Sequence, residues 1–414
     1  MIITSSVIIT CNSHSTVLYD GAIVIRKGII CAVGPLRRMM KQFPDKNIIR
    51  LKNALLMPGL VNTHTHIELP KLLNTIKSNT FPDWVLNLIA AKKKIYKNVY
   101  ASASLENINT LIQTGTTTVG EICTHGVSPD MLKKSGLRAI IYYEKINMAP
   151  VDNYPKQKDL LPSTRDTALV RAGLSPHSPY SVSETVLCKI RNASLKRNIP
   201  LAMHIAESKD EIGLLKGKSS GLEKLYRFAG WDIGWAPTGN SSFEYLDRIG
   251  FLHPNLMAVH AVQVTDSDIY LIQSRKVSVS HCPRSNKETG VGRMPLKLFL
   301  DAGIAVGLGT DSLASSPTLN MWDEMRYAHQ IHRHEGLTPK DIILLGTSGG
   351  ARAMRMNDKV GSLVPGMKAD VIAVALPSKN TGDIYSDLLR ETKSCIMTVV
   401  NGKILCQKDV FQPV

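Results

Sequence analysis

No apolar run in this 414-residue chain reaches the roughly 20 residues that a membrane-spanning helix needs. A membrane partner is therefore not expected. Cysteine offers little either: the seven cysteines are scattered, odd in number and contain no Cys-x-x-Cys pair. That pattern argues against a disulfide framework or a thiolate zinc site and fits a reducing cytoplasm. The apolar start Met1-Ile2-Ile3-Thr4-Ser5-Ser6-Val7-Ile8-Ile9-Thr10 has no basic leader and no small-residue cleavage site, so it reads as a strand, not a signal peptide. Internal repeats and low-complexity segments are absent. Acidic residues are scarce relative to basic ones, 34 against 50, which leaves a net charge of +16. The basic residues are spread along the chain, and their densest run, Lys92-Lys93-Lys94, reads as the solvated face of a helix. No nucleic-acid-binding motif accompanies the charge, so no nucleic acid partner is expected, and an anionic small molecule remains open.

What is present is a globular chain, 43% hydrophobic, long enough for one large α/β domain and a smaller unit. Residues 1–53 read as β structure, with turns expected at Asp20-Gly21 and Lys27-Gly28, the second joining two hairpin strands. From Leu55 onward short apolar runs alternate with helical stretches. The runs Thr116–Ile122, Arg138–Tyr143, Leu169–Leu174, Leu201–His204, Leu256–His260, Val277–His281 and Ile304–Leu308 join the one near Leu60 to make about eight strands. That is the number expected of a (β/α)8 TIM barrel. Helices are expected at Phe81–Lys97, Ser183–Arg197, Lys209–Phe228, Thr265–Ser274 and Leu319–His334. The looser stretch Gly213–Ser242 reads as an elaborated loop over the barrel mouth. Beyond Gly349 the pattern returns to strands, with a hairpin at Asn401-Gly402. The expected organisation is a catalytic barrel over 56–355 and a small β-sandwich domain joined from 1–55 and 356–414.

The segment Pro58-Gly59-Leu60-Val61-Asn62-Thr63-His64-Thr65-His66-Ile67-Glu68 carries the first chemical signal. Residues i and i+2 of a strand share a face, so His64 and His66 can serve one metal ion or simply face solvent. The remaining strand ends decide between these readings. His177 follows the fourth strand, His204 ends the fifth with Glu207 three residues on, His260 and His281 end the sixth and seventh, and Asp311 closes the eighth. Core packing favours Val, Ile or Leu at such positions, whereas catalytic residues of a barrel collect at these C-terminal ends. His64, His66, His204 and Asp311 are therefore expected to bind metal.

The same motifs resemble the amidohydrolase superfamily, in particular its mononuclear-metal deaminases and chlorohydrolases. The resemblance runs the full length, including Gly366-Met367-Lys368-Ala369-Asp370. It implies one divalent ion, zinc or iron, on His64, His66, His204 and Asp311, with Glu207 and His260 as proton carriers. Asp311 would touch both ion and water and pass a proton to the leaving amine. The fourth strand ends in Ser175-Pro176-His177, without the lysine that bridges two metals in binuclear relatives, so a single ion is implied. Such an ion supplies a nucleophilic water at neutral pH. Homodimers are common in the family, and a homodimer is expected here.

Within that branch, Ser175-Pro176-His177-Ser178-Pro179-Tyr180-Ser181 resembles the motif of purine nucleoside deaminases, in which the histidine contacts substrate. Glu68, Phe81-Pro82-Asp83-Trp84-Val85 and Thr117-Thr118-Val119-Gly120-Glu121-Ile122 are most similar to the aminodeoxyfutalosine deaminases of menaquinone biosynthesis. The substrate contacts expected on this basis are Glu68, His177, Glu207, His281 and Arg284, with Arg293 a second candidate cation for a substrate carboxylate. The alternatives are methylthioadenosine, S-adenosylhomocysteine, guanine or a chlorinated triazine as substrate, and a non-catalytic scaffold. The last is disfavoured because the full ligand set is present. His329, His332 and His334 are not expected at the metal, and His125, after the second strand, is expected either to line the mouth or simply to sit in its loop.

Overall fold

The computed structural model describes residues 1–44, 47–148, 166–378 and 382–408. Fifteen strands are found among them. β1 (Ile2–Ile9), β2 (Val17–Arg26), β3 (Ile29–Pro35) and β4 (Ile48–Pro58) come first. β5 (Leu60–Thr65), β6 (Thr116–Cys123), β7 (Arg138–Lys145), β8 (Val170–Pro176), β9 (Leu201–Ile205), β10 (Leu256–His260), β11 (Ser278–His281) and β12 (Val306–Leu308) follow, alternating with helices. β13 (Val371–Ala375), β14 (Met397–Val400) and β15 (Lys403–Gln407) end the series.

β5 to β12 pair in chain order as an eight-stranded parallel sheet. It curls into a barrel that closes between β12 and β5. Closure uses few ladder bonds: Asp311 N–H donates to His64 O (3.1 Å), Thr63 Oγ1 to Leu308 O (2.8 Å) and Asn62 Nδ2 to Thr310 Oγ1 (2.7 Å). Strands covered on both faces should read as unbroken buried runs. Every residue of β5, β6, β9, β10, β11 and β12 is indeed buried. No helix among the described residues is long and apolar enough to cross a membrane.

Both ends of the chain meet in the second unit, as expected. Its strands form one continuous seven-stranded sheet ordered β15-β14-β13-β4-β1-β2-β3. One set of its side chains (Ile3, Ile8, Ile23, Leu56, Val371, Met397) makes its own core, while Val7, Leu55, Met57, Ile372 and Val374 join the large cluster shared with the barrel. β4 continues through Pro58 and β5 begins at Leu60, so the chain passes from sheet to barrel at Gly59. A Cβ there would lie 2.0 Å from Thr117 Oγ1, which leaves glycine as the residue that fits.

Three local expectations change. Asp20-Gly21 does not turn the chain: it lies inside β2, where Asp20 takes a left-handed conformation (φ 47°) without interrupting the pairing with β1. Lys209–Phe228 is two helices, Lys209–Leu215 and Glu223–Ala229, broken where Gly217 and Gly221 adopt positive φ. The first barrel helix stops at Lys92, and a second, Lys97–Gln113, follows it. The Phe81–Lys92 helix is held at its start by Thr80, whose side chain caps the N-terminus by accepting from Asp83 N.

The two units are locked by a buried ion pair. Arg138, at the base of β7, meets Asp370 through Nε–Oδ2 (2.7 Å) and Nη2–Oδ1 (3.0 Å). Asp370 also accepts from Asn401 N (2.8 Å), and its carbonyl accepts from Gly59 N (3.0 Å). Removing one partner strands a buried charge. Asp370→Ala is expected to lower unfolding stability by about 3–5 kcal/mol, read as a shift in urea midpoint; a change below 1 kcal/mol would contradict this role for the pair.

Candidate active site

The strand ends converge as the spacing predicts. His64 Nε2 and His66 Nε2 each lie 3.5 Å from Asp311 Oδ1. The His64 ring centroid is 5.1 Å from that of His66 and 5.0 Å from that of His204, while His204 and His260 are stacked at 5.4 Å. His64, His66 and Asp311 form one close cluster of donor atoms, and His64, His204 and His260 a second that shares His64. Glycine at 309 permits the approach, since a Cβ there would stand 2.8 Å from His64 Cβ.

Metal ligation suits this donor set. Both ring nitrogens of His64 are buried and have no hydrogen-bond partner, an unfavourable state for an imidazole unless a lone pair meets something else. His204 donates through Nδ1 to the His177 carbonyl (3.0 Å), which leaves its Nε2 as the lone-pair nitrogen. Burial pushes His64 down to about 4 and His66 well below its ordinary value, the Asp311 carboxylate opposing the shift, so both rings are neutral. Burial alone would raise Asp311, but its contact with His64 and the nearby His66 and His260 rings outweigh that and hold its pKa well below the usual carboxylate value.

Backbone geometry at these strand ends is unusual. Ala206 (φ 53°), His260 (φ 72°), Ala261 (φ 45°) and Asp311 (φ 55°) are non-glycine residues in the left-handed region. Each such residue costs on the order of 1 kcal/mol or more, and this kind of strain collects at functional sites. Here neighbouring contacts hold it. Ala206 N and Glu207 N donate to the two carboxylate oxygens of Glu211 (2.8 and 3.0 Å), and Ala206 O accepts from Val262 N and Gln263 N.

Glu207 and His260 face each other at 3.5 Å (Nε2–Oε1). Burial raises Glu207 to about 8, with Asp311 and Glu211 adding and His204 opposing, so it carries a proton at neutral pH. His260 Nδ1 contacts Asn286 Oδ1 (2.8 Å), and burial lowers its pKa. Asp311 Oδ2 accepts from Ser285 Oγ (2.6 Å) and Ser315 Oγ (2.9 Å), which turns Oδ1 toward the histidines.

A pocket opens directly above. Its floor is His66, His177, His204, Glu207, His260 and Asp311; its wall is largely apolar, with Phe81, Trp84, Val85, Leu88 and Ile89 from one helix and Leu225 and Trp231 from the loop region over the mouth. His177 lines it as expected. Ser178 and Ser181 hydroxyls lie 3.1 and 2.8 Å from its Nδ1, and burial, with the neighbouring His204, lowers it to about 3, so it is neutral.

Three expected substrate contacts lie elsewhere. Glu68 is buried and turned away: its carboxylate accepts from the backbone N–H groups of Thr124, His125, Val127 and Ser128 at 2.5–3.0 Å and from Ser128 Oγ. It organises the loop after β6, because a fully bonded carboxylate has nothing left for a ligand. His281 stacks edge-on to His332, with an Nε2–Nε2 distance of 3.2 Å, behind the pocket. Arg284 donates to Thr318 Oγ1 (3.0 Å) and pairs with Asp323 and Glu324 at 3.8 and 3.9 Å. Arg293 is half-exposed and paired with Glu335. His125 stacks on Tyr100 at 3.8 Å.

Other residues enter that the sequence reading did not place. Ser285 and Asn286 come from the same Cys282–Asn286 run as Arg284, yet they reach the centre where Arg284 does not. Glu211 has a visible signal, a serine N-cap at 208 followed three residues later by glutamate. Its carboxylate reaches past Ser208 to Ala206 and Glu207 instead. Lys92 and Glu144 line the pocket. Of the lysine run, only Lys93 and Lys94 are exposed as expected, while Lys92 is half-buried.

Residues 55–405 match the model of the Amidohydrolase family. The chain belongs to that family and is a hydrolase built on its barrel. Among curated relatives, a 5-methylthioadenosine/S-adenosylhomocysteine deaminase of Syntrophobacter fumaroxidans is 25% identical over 402 residues, covering 94% of this chain and 87% of its own. An adenosine deaminase of Xanthomonas campestris, solved with bound zinc, superposes with TM-score 0.82 at 25% identity, over 97% of this chain and 92% of that one. An aminofutalosine deaminase of Helicobacter pylori bound to methylthio-coformycin superposes with TM-score 0.87 at 22% identity, over 97% and 99% of the two chains, a likeness of fold.

If Glu211 holds the strained turn that aims Glu207, Glu211→Ala should lower kcat about 10–100-fold while bound metal is retained and Glu211→Gln recovers part of the loss. An unchanged kcat in the alanine variant would remove that role.

Proposed function

We propose that this enzyme hydrolytically deaminates an adenine nucleoside, converting the 6-amino purine and water to the 6-oxo purine and ammonia. His64, His66, His204 and Asp311 would hold one divalent ion, and the zinc in the Xanthomonas campestris structure favours zinc over iron. Such an ion makes water nucleophilic at neutral pH. The protein groups do the rest. Glu207, protonated at neutral pH, donates to the ring nitrogen beside the carbon under attack and makes that carbon more electrophilic. His260, oriented by Asn286, takes a proton from the water. Asp311, ionised and aimed by two serine hydroxyls, carries the second proton to the departing amine. His177 stands on the floor to meet the purine edge.

The observation that carries this reading is the contrast within one pocket. A protonated carboxyl and an ionised one, 207 and 311, face the same floor with opposite proton affinities, the arrangement that paired acid and base steps require. The long apolar wall suits a nucleoside with an apolar 5′ substituent, and Lys92 supplies a cation on that wall. These features favour 6-amino-6-deoxyfutalosine, whose benzoate joins an aromatic ring to a carboxylate, giving futalosine on the route to menaquinone. The second reading, methylthioadenosine or S-adenosylhomocysteine, is favoured by the name of the Syntrophobacter fumaroxidans relative.

Zinc-loaded enzyme incubated with aminodeoxyfutalosine, methylthioadenosine, S-adenosylhomocysteine, adenosine and guanine should release ammonia fastest from the first. Preference for methylthioadenosine promotes the second reading, and no turnover of any purine defeats both. Lys92→Met should raise KM for aminodeoxyfutalosine about tenfold or more, since a hydrogen bond to a charged group is worth roughly 1.5–3 kcal/mol. It should act much less on methylthioadenosine. Glu207→Gln should keep its metal, measured by elemental analysis, and lose at least about 100-fold in kcat.

A further inference from the structure

Glu144 is a half-buried acid of the pocket for which the chemistry above has no use. It sits near the end of β7, opposite Ser175 of the neighbouring strand, and lines the pocket beside His66 and His177. One carboxylate oxygen, Oε2, accepts from Thr124 Oγ1 at 2.8 Å, which fixes the side chain. Burial alone would raise its pKa, but its neighbours His177, Lys92 and His66 and the hydrogen bond from Thr124 pull it down to about 2. The group is thus an anchored, ionised acceptor set into a largely apolar wall. An ionised carboxylate only accepts hydrogen bonds, so a ligand that seats well against it must bring donors.

Position restricts which donors these are. Glu144 pairs with Ser175 across β7 and β8, next to Lys145, whose carbonyl accepts from His177 N (3.0 Å), so it borders the reaction centre, and Lys92 lines the same pocket from the helix wall. With the purine at the reaction centre, the sugar of a 5′-substituted adenine nucleoside is the middle part, next outward from that centre. Once the 6-amino group is committed to the reaction centre, the donors left in that middle part are the 2′ and 3′ hydroxyls. We propose that Glu144, held by Thr124, is a specificity-determining residue that accepts hydrogen bonds from the sugar diol and selects ribosides over deoxyribosides. This rests on the nucleoside reading above. A site built to receive a hydroxyl penalises the ligand that lacks it, because an acceptor covered by the bound ligand is then left without a partner.

The test compares kcat/KM for 5′-deoxyadenosine, 2′,5′-dideoxyadenosine and 3′,5′-dideoxyadenosine in wild type, Glu144→Gln and Glu144→Ala. Wild type should prefer the diol over at least one dideoxy compound by roughly 10- to 100-fold, the range expected for a hydrogen bond to a charged acceptor. Glu144→Ala should bring that ratio close to one, and Glu144→Gln, which keeps a carbonyl acceptor, should fall between. If wild type turns over none of the three and none of the nucleosides named above, the nucleoside reading fails and this inference with it; if it deaminates only the latter, the same ratios are read from competitive inhibition by the three. If wild type is active but shows no preference, or Glu144→Ala keeps the wild-type ratio, only the role of Glu144 is overturned. Equal loss on all three substrates in both variants, with metal content intact, also overturns it, because the residue then serves the reaction or the fold and not the sugar.

Discussion

Asp311 is the residue on which the rest of the site depends. Its backbone closes the barrel: its N–H donates to His64 O, and its carbonyl accepts from Thr65 Oγ1 (2.9 Å). Its Oδ1 is the point that both His64 and His66 approach, and Oδ2 is held by two serine hydroxyls. One residue therefore joins barrel closure to the chemistry. Barrel closure and ligand convergence cannot be changed independently, and the left-handed backbone at Asp311 is tolerated because contacts on every side over-determine it.

Charge in this site is managed by burial and then corrected by neighbours. Burial drives His64, His66 and His177 toward neutral imidazoles and Glu207 toward its protonated form. Asp311 and Glu144 are the exceptions, since nearby histidines, and Lys92 for Glu144, outweigh burial. The outcome is a floor on which one carboxyl, Glu207, is raised and another, Asp311, is lowered, beside the neutral rings of His66 and His177. The same trade-off appears at Arg138–Asp370, where two charges survive deep burial because they are bidentate and further bonded.

Much of this was legible in the linear pattern. A barrel strand must be apolar, so a histidine or acid at its C-terminal end stands out, and His64, His66, His204, Glu207, His260 and Asp311 were found on that basis. The same logic failed for Glu68, His281 and Arg284, which sit in suggestive runs but spend their polar atoms on the protein itself. Whether a carboxylate faces a ligand or four backbone amides is not encoded in its distance from a neighbouring motif. Glu68 shows the difficulty best: two residues past His66 it points the other way and is fully bonded.

The sequence by itself determined the alternation of strands and helices, the union of both termini in a second β unit, and the histidines and acids at the barrel's strand ends, because these follow from hydrophobic period and residue type. Only the tertiary structure decided which polar residues share the pocket. Lys92 belonged to a run read as solvated, and Glu144 carried no motif at all, yet both line the cavity. The physical reason is that a helix face and a strand end gain chemical meaning from what packs opposite them. For Lys92 that is the barrel mouth, and for Glu144 it is Thr124 and His177, brought together only by the closing of the sheet.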